Sequence, residues 1–360
     1  MERFSCKTHI ISGPGTTAWL KELNSRCLLL VTDPFFSKNG TAKRLAEQSG
    51  AEKWEIFDKV KPDPSVELAA EGTAVIRSLQ PDTVVALGGG SAMDCAKAMV
   101  YFSGCDPKLV AIPTTSGSGS EVTDFAILTH GETKHPLVDE KLRPDVAILD
   151  GSLLKGLPPT LVADTGFDVL SHALEAYVAR DASPITDALA RDAFATCFGA
   201  LPASFAGETA VRQRLHVAAT MAGMAFTQAG LGLCHAMAHS LGGVFHLPHG
   251  RLNAILLPSV IQVNACAAGE KYAALARSAG LCGSAQSVAV RSLKNALIRL
   301  RRELGMPDTL VQAGVSPNRV WQGREQIVQA VLADPCCMTN PGAVDASTVC
   351  KVLEEVTGRG

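Results

Sequence analysis

Four of the chain's nine histidines fall inside one stretch, GLGLCHAMAHSLGGVFHLPHG (Gly230–Gly250), at His235, His239, His246 and His249. Core packing seldom gathers imidazoles so densely, whereas metal binding and proton transfer do. A second stretch, DTGFDVLSHALEAY, sets Asp168 and His172 four residues apart, on one helix face. Alone, such a pair is more often a surface ion pair than half of a metal site. Joined by two histidines of the cluster, it makes one carboxylate oxygen and three imidazole nitrogens, a set that suits Fe²⁺ or Zn²⁺ better than Mg²⁺ or Ca²⁺. Spacing leaves open which two. His235 and His239 share the i,i+4 spacing of HExxH, but Ala236 replaces the glutamate a metalloprotease needs. His249 sits in a PHG turn, able to re-enter a cleft, and His246 reads as packing or surface.

A different chemistry is written in two glycine-rich loops, each following an apolar run. GGGS (Gly88–Ser91) follows DTVVAL, and PTTSGSGSEVT (Pro113–Thr123) follows LVAI. Glycines admit a bulky anion to the backbone, and the free N–H groups of a helix start favour phosphate. Ser91 as N-cap, with Asp94 in a capping-box-like role, is the plain structural alternative. The loop is neither G-x-G-x-x-G, since Met93 stands at the third glycine, nor a Walker loop around Lys97. Asp33 ends the apolar run CLLLVTD. It can take both hydroxyls of an adenosine ribose and repel a 2′-phosphate, or simply open the turn at Pro34.

These groups need elements to hold them. Up to about Pro158, apolar runs alternate with helical stretches: strands near 27–33, 54–60 and 83–87, helices near 41–49, 66–78 and from Ser91. That order predicts a parallel sheet, with the glycine loops at its ligand edge. From Pro159 the runs VLSHALEAYVA, ITDALARDAFATCF, VRQRLHVAATMAGMAF and AVRSLKNALIRLRREL show 3.6-residue spacing. The expected organisation is an α/β domain over 1–158 and an all-helical domain over 159–360, with a cleft between them. At 360 residues, 19% charged and net −2, the chain reads as globular, with no basic run for nucleic acid. No signal peptide is expected from MERFSCKTHI, nor a membrane span, on the reading that no stretch approaches 18 uncharged apolar residues. Eleven scattered cysteines, with only Cys336 and Cys337 adjacent, point to free thiols in a reducing compartment.

Taken in order, Thr32–Asp33, GGGSAMDCAK, PTTSGSGSEVT, the K-x-P lysine Lys134, TGFDVLSHALEAY and HAMAHSLGGVFHLPHG resemble the iron-containing, group III alcohol dehydrogenases over most of the chain. The start MERFSCKTHIISGPG, the compact length and QAGLGLCHAMAHSLGGVFHLPHG look most like the 1-propanol and ethanol dehydrogenases of bacterial microcompartments. The resemblance implies the dehydroquinate synthase-like, iron-containing alcohol dehydrogenase fold, with metal ligands Asp168, His172, His235 and His249 and with His239 near them for proton transfer. It carries NAD over to Asp33, Gly89, Gly90, Ser91, Asp94, Thr114, Thr115, Ser118, Thr123 and Lys134. An acidic residue at Asp33 accompanies NAD rather than NADP in the family. One position departs: Asp63 stands two before Ser65, where related sequences often have Asn on the adenine side.

The activity so implied is hydride transfer between NAD(H) and a small aldehyde–alcohol pair, propanal or acetaldehyde, in the direction that regenerates NAD. The metal, Fe²⁺ or Zn²⁺, acts as a Lewis acid, and His239 or the ribose hydroxyls relay the proton. A cytoplasmic homodimer is expected, with encapsulation in a microcompartment and shell or enzyme partners in view, and no nucleic-acid or membrane partner. Two other readings stand beside it. One is glycerol dehydrogenase or a dehydroquinate synthase-like lyase on the same fold. The other is a non-catalytic assembly paralogue, whose mark would be a missing ligand.

Overall fold

A computed structural model of the protein describes residues 4–131, 133–281 and 283–358. The described residues divide into two compact units, 5–157 and 158–358, the second also including residue 4.

The first unit holds strands β1 (His9–Ser12), β2 (Cys27–Thr32), β3 (Lys53–Phe57), β4 (Thr83–Gly88), β5 (Lys108–Pro113), β6 (Phe125–His130), β7 (Thr133–Val138) and β8 (Val146–Leu149). Between them lie helices α1 (Pro34–Lys38), α2 (Thr41–Gln48), α3 (Val66–Leu79) and α4 (Gly90–Ser103). Six strands pair in parallel in the order β1-β8-β5-β4-β2-β3, while β6 and β7 form a separate antiparallel pair. The central strands are apolar through their middles because both sheet faces are covered. Leu28, Leu30, Val85 and Leu87 pack with α2 on one face; Leu29, Val31, Val84 and Ala86 pack with α3 and α4 on the other. Strand β2 has β3 on one side and β4 on the other, so the chain reverses its direction of growth there. In an open α/β sheet the crevice beyond the carboxyl ends at such a reversal is where ligands enter. Asp33 follows β2, and Gly88 ends β4 with Gly89 and Gly90 directly after it, so both predicted elements stand at that crevice.

The second unit is helical: α5 (Pro159–Val178), α6 (Pro184–Phe205), α7 (Arg212–Ala229), α8 (Leu233–Phe245), α9 (His249–Ser278), α10 (Gln286–Glu303), α11 (Pro317–Gln322), α12 (Arg324–Ala333), α13 (Cys336–Thr339) and α14 (Ala346–Thr357). Ser183 and Thr186 close a capping box at the start of α6, with Pro184 at its first position. Helix α5 lies at the centre: from Val162 to Val178 every residue but Thr165 is buried.

The premise behind the membrane expectation, that no stretch approaches 18 such residues, needs correcting. Residues 252–269 are an uncharged run of 18, and α9 is long and apolar enough to cross a membrane by length and composition. It reads that way because it is a core helix, with 72% of that window buried inside the protein.

Helices α5 and α9 touch through backbone. A β-carbon on Gly250 would sit 1.8 Å from the carbonyl oxygen of Asp164, and both partners are main chain with nowhere to yield. Gly250→Ala is expected to destabilise the protein by about 1–3 kcal/mol or more, seen as a lower denaturant midpoint. An unchanged midpoint would mean that α5 and α9 do not approach this closely.

Candidate metal centre and nucleotide edge

Helix α5 buries three carboxyl side chains and an imidazole, Asp164, Asp168, Glu175 and His172. Each costs free energy unless something answers it. Arg251 answers Asp164 through Nε at 3.1 Å and Nη2 at 2.9 Å. Glu175 is answered by the start of α8: its carboxylate accepts the backbone N–H groups of Gly232, Cys234 and His235 at 3.0, 2.7 and 3.2 Å, and lies 2.6 Å from His235 Nδ1. Burial nonetheless pushes the Glu175 carboxyl up to about 7 against those hydrogen bonds.

The rest of that face gathers acceptors. One ligand atom each of Asp168, His172, His235 and His249 lies within 4.8 Å of the other three. Nε2 of His249 is 3.5 Å and Nε2 of His172 3.9 Å from Asp168 Oδ1. These are too long for hydrogen bonds. They are close to the ~3.4 Å separating ligand atoms around a tetrahedral ion roughly 2.1 Å away. Asn253 donates to Asp168 Oδ1 at 3.0 Å, and its amide nitrogen lies 3.4 Å from His235 Nε2. The His172 ring stacks between Phe226 and His235, with centroids at 4.4 and 4.5 Å. Desolvation, with crowding by the other imidazoles, holds His235 and His249 well below the usual histidine range, in the neutral form that binds metal. Three imidazoles and a carboxylate fit a borderline divalent ion such as Fe²⁺ or Zn²⁺.

His239 stands outside this group. Its Nδ1 bonds Asp334 Oδ2 at 2.8 Å, its ring stacks on His249 at 5.3 Å, and the side chain is 36% exposed. His246 is an exposed left-handed C-cap of α8, with φ 55°.

In the other unit, Asp33 caps α1: Oδ1 accepts from the N–H groups of Phe35 and Phe36 at 2.8 and 3.3 Å. Its Oδ2 would lie 3.8 Å from a β-carbon placed on Gly88, so it faces the glycine loop. The capping-box reading of Ser91 and Asp94 is not what forms. Helix α4 starts at Gly90 with Gly89 as its N-cap, two residues too early for Ser91 to cap it. Asp94 instead turns to the following loop and accepts from Ser120 Oγ at 2.9 Å and Ile127 N at 3.2 Å. Gly89 and Gly90 are hemmed in by Thr115 and Ser118: a β-carbon on either would come within 3.3 Å of those side chains. Thr114 N donates to Gly88 O at 2.9 Å, joining the two loops. Thr123 faces inward and accepts, through Oγ1 and its carbonyl, from Lys97 at 3.0 Å each. Lys134 pairs with Asp63 at 2.6 Å, so the residue that departs from the family pattern holds the lysine carried over from it.

Several residues gain a role only in three dimensions. Glu175 lies three past His172 on the same face, a spacing that could have flagged it. Asn253, four past His249, carried the same signal more faintly. Lys97 gave less, being a buried cation that ties Ser120 Oγ, Thr123 and the Phe125 carbonyl together at 2.9–3.0 Å.

With this geometry in view, two family profiles match the chain: "Iron-containing alcohol dehydrogenase" over residues 7–151 and "Fe-containing alcohol dehydrogenase family, C-terminal" over residues 162–357. The chain belongs to the iron-containing alcohol dehydrogenase family. Similar proteins include the 1-propanol dehydrogenase PduQ of Citrobacter freundii, 42% identical over 99% of this chain and 100% of the relative. The NADPH-dependent butanol dehydrogenase of Clostridium saccharobutylicum is 37% identical over 98% and 97%. A solved 1,3-propanediol oxidoreductase superposes with a TM-score of 0.93 at 32% identity, over 99% of this chain and 100% of the other. As a member of this family the protein is an alcohol dehydrogenase, an oxidoreductase acting on CH–OH donors, with the α/β and helical architecture expected from the sequence.

Burial pushes the Lys97 amine of this alcohol dehydrogenase down to about 8 against carboxylate neighbours that raise it. A lysine depressed below its unfolded value of 10.5 weakens the fold while charged. That cost is complete below about pH 8 and disappears as pH rises toward 10.5, so stability gains with pH through this window. Lys97→Met removes the gain and strands the four acceptors. The stability gap between wild type and Lys97→Met, from urea denaturation, is expected to widen between pH 8 and 10; a constant gap would overturn the assignment.

Proposed function

We propose that the protein is an NAD-dependent alcohol dehydrogenase interconverting a small aliphatic aldehyde, propanal or acetaldehyde, with its primary alcohol. The observation that carries this is the convergence of Asp168, His172, His235 and His249, all acceptors with Asn253 as their amide neighbour, from three separate helices. In this reading those four hold Fe²⁺ or Zn²⁺. When bound, such an ion supplies Lewis acidity toward the substrate oxygen.

The chain's own residues then divide the remaining work. Glu175 takes the Nδ1 side of His235, which fixes the tautomer and leaves Nε2 for the centre. Asn253 orients the Asp168 carboxylate. Asp334 does for His239 what Glu175 does for His235, leaving Nε2 of His239 to pass a proton toward solvent. At the sheet edge, Gly89, Gly90 and Ser91 with Thr114, Thr115 and Ser118 receive the pyrophosphate at the start of α4, where the helix dipole favours it. Asp94, Lys97 and Thr123 hold the second loop in shape. Asp33 takes the ribose hydroxyls and disfavours a 2′-phosphate, which supports NADH over NADPH. The likeness to PduQ 1-propanol dehydrogenases supports the aliphatic aldehyde, and the homodimer and the microcompartment setting are carried over from the resemblance as part of this proposal.

The test is anaerobic oxidation of NADH by propanal, using protein stripped of metal and reloaded with Fe²⁺ or Zn²⁺, with NADPH in parallel. Metal-dependent turnover favouring NADH is expected. One bound ion per chain with no turnover on any small aldehyde would overturn the reading. His249→Ala is expected to lose metal and activity together. His239→Ala is expected to keep the metal and lose roughly 10²-fold or more in rate; loss of metal instead would make His239 a ligand. Asp33→Ser keeps an oxygen for the α1 cap and removes the charge, so it is expected to raise the NADPH-to-NADH activity ratio at least about tenfold. An unchanged ratio would remove Asp33 from cofactor choice.

A further inference from the structure

Beyond the four-ligand cluster, a second convergence of donor atoms lies in the helical unit. One ligand atom each of His239, Asp334 and Cys336 lies within 4.8 Å of the other two. Asp334 is their hub. Its Oδ2 receives His239 Nδ1 at 2.8 Å, and its Oδ1 receives the Cys336 backbone N–H at 2.8 Å. Pro335 leads into the short helix α13 immediately after, setting Cys336 two residues from Asp334. The neighbouring thiol is engaged elsewhere: Cys337 Sγ donates to the Val331 carbonyl at 3.1 Å. All three residues of the group are half-buried, within reach of solvent and yet not freely hydrated.

Imidazole, carboxylate and thiol together are a donor set of different character from the first. Oxygen-seeking ions such as Mg²⁺ and Ca²⁺ have little use for the sulfur, whereas Zn²⁺ takes sulfur, nitrogen and oxygen at roughly 2.0–2.3 Å. Three ligands around such an ion stand about 3.4–3.8 Å apart, so binding would open the 2.8 Å contact between His239 Nδ1 and Asp334 Oδ2 to admit the ion. Binding would expel the thiol proton to solvent and put the ion where Asp334 now holds hydrogen bonds.

We propose that His239, Asp334 and Cys336 form a second, inhibitory site for a thiophilic divalent cation, Zn²⁺ foremost, whose occupation takes His239 away from proton transfer. The inhibition, but not the binding, rests on the reading of His239 as the proton relay. Low zinc would then fill the four-ligand centre and support turnover, while excess zinc would stop it.

The experiment titrates metal-stripped protein with Co²⁺ and then, separately, measures propanal reduction against Zn²⁺. Among the two sites only this one offers sulfur, so the second equivalent of Co²⁺ is expected to bring a thiolate-to-cobalt charge-transfer band in the near ultraviolet that the first does not. Cys336→Ser should keep the first equivalent and lose the band, while Cys337→Ala keeps both. Saturation at one ion per chain without the band, or a band that survives Cys336→Ser, overturns the site. Wild type should be inhibited by Zn²⁺ at concentrations at least about tenfold below those needed for Cys336→Ser, the equivalent of about 1.4 kcal/mol. A band that depends on Cys336 while turnover is insensitive to the second equivalent would uphold the site and overturn its inhibitory role and the relay together.

Discussion

The helical unit depends on one buried carboxylate. Glu175 sits deep in α5 and accepts three backbone N–H groups from the start of α8 as well as the Nδ1 side of His235. A helix start leaves its first N–H groups without partners, and a buried start must find them elsewhere. Here they come from a neighbouring helix rather than from a local cap, since Gly232 at the N-cap has no side chain to offer. The absence is required: a β-carbon on Gly232 would come within 2.8 Å of Glu175 Oε1. One interaction therefore closes the end of α8, sets its distance from α5 and selects the tautomer of His235. Asp168 and His172 lie on the same face of α5, so their position relative to His235 is fixed by that clamp.

The candidate nucleotide edge is built by the same economy in opposite charge. Lys97 is a fully buried cation surrounded by oxygens of the loop after β5, and Asp94, one turn earlier on α4, takes the loop's Ser120 hydroxyl and the Ile127 N–H. A polar loop rich in serine and glycine has little apolar area with which to hold a shape. Two charged residues from one helix supply that shape by hydrogen bonding, and the glycines Gly89 and Gly90 let Thr115 and Ser118 lie close over the helix start. Shape here comes from satisfied polar groups in a dry setting, which are costly to break singly.

Sequence periodicity carried the architecture well. Apolar runs gave β2, β4 and β5, and 3.6-residue spacing gave α5, α6, α7 and α10, because each element buries a continuous face. It did not give the order of strands in the sheet or the β6–β7 pair, which depend on contacts remote in sequence. Nor did it separate a core helix from a membrane-length one at α9, since burial in protein and burial in lipid select the same residues. At the centre, spacing singled out Asp168 and His172 but left the four histidines of Gly230–Gly250 unsorted. The resemblance ordered them, and the fold sets His235 and His249 beside the α5 pair while turning His239 toward Asp334 and His246 to solvent. Glu175, Asn253, Lys97 and Asp334 escaped because a supporting residue has no signature until its partner is in contact.

Support of this kind explains why two histidines one helical turn apart differ so much in character. His235 and His239 each give Nδ1 to a carboxylate, at 2.6 and 2.8 Å. Glu175 lies in the buried interior and its partner ring is wholly enclosed, so that ring stays neutral with a fixed lone pair, as a metal ligand must be. Asp334 is held below the usual carboxylate range by the His239 hydrogen bond despite its burial, so it remains an anion beside a ring that reaches water. An anionic partner beside an exposed ring suits the proton relay proposed for His239. The helix spacing presents two imidazoles to one region; the carboxylate behind each one decides which is suited to hold a cation and which to move a proton.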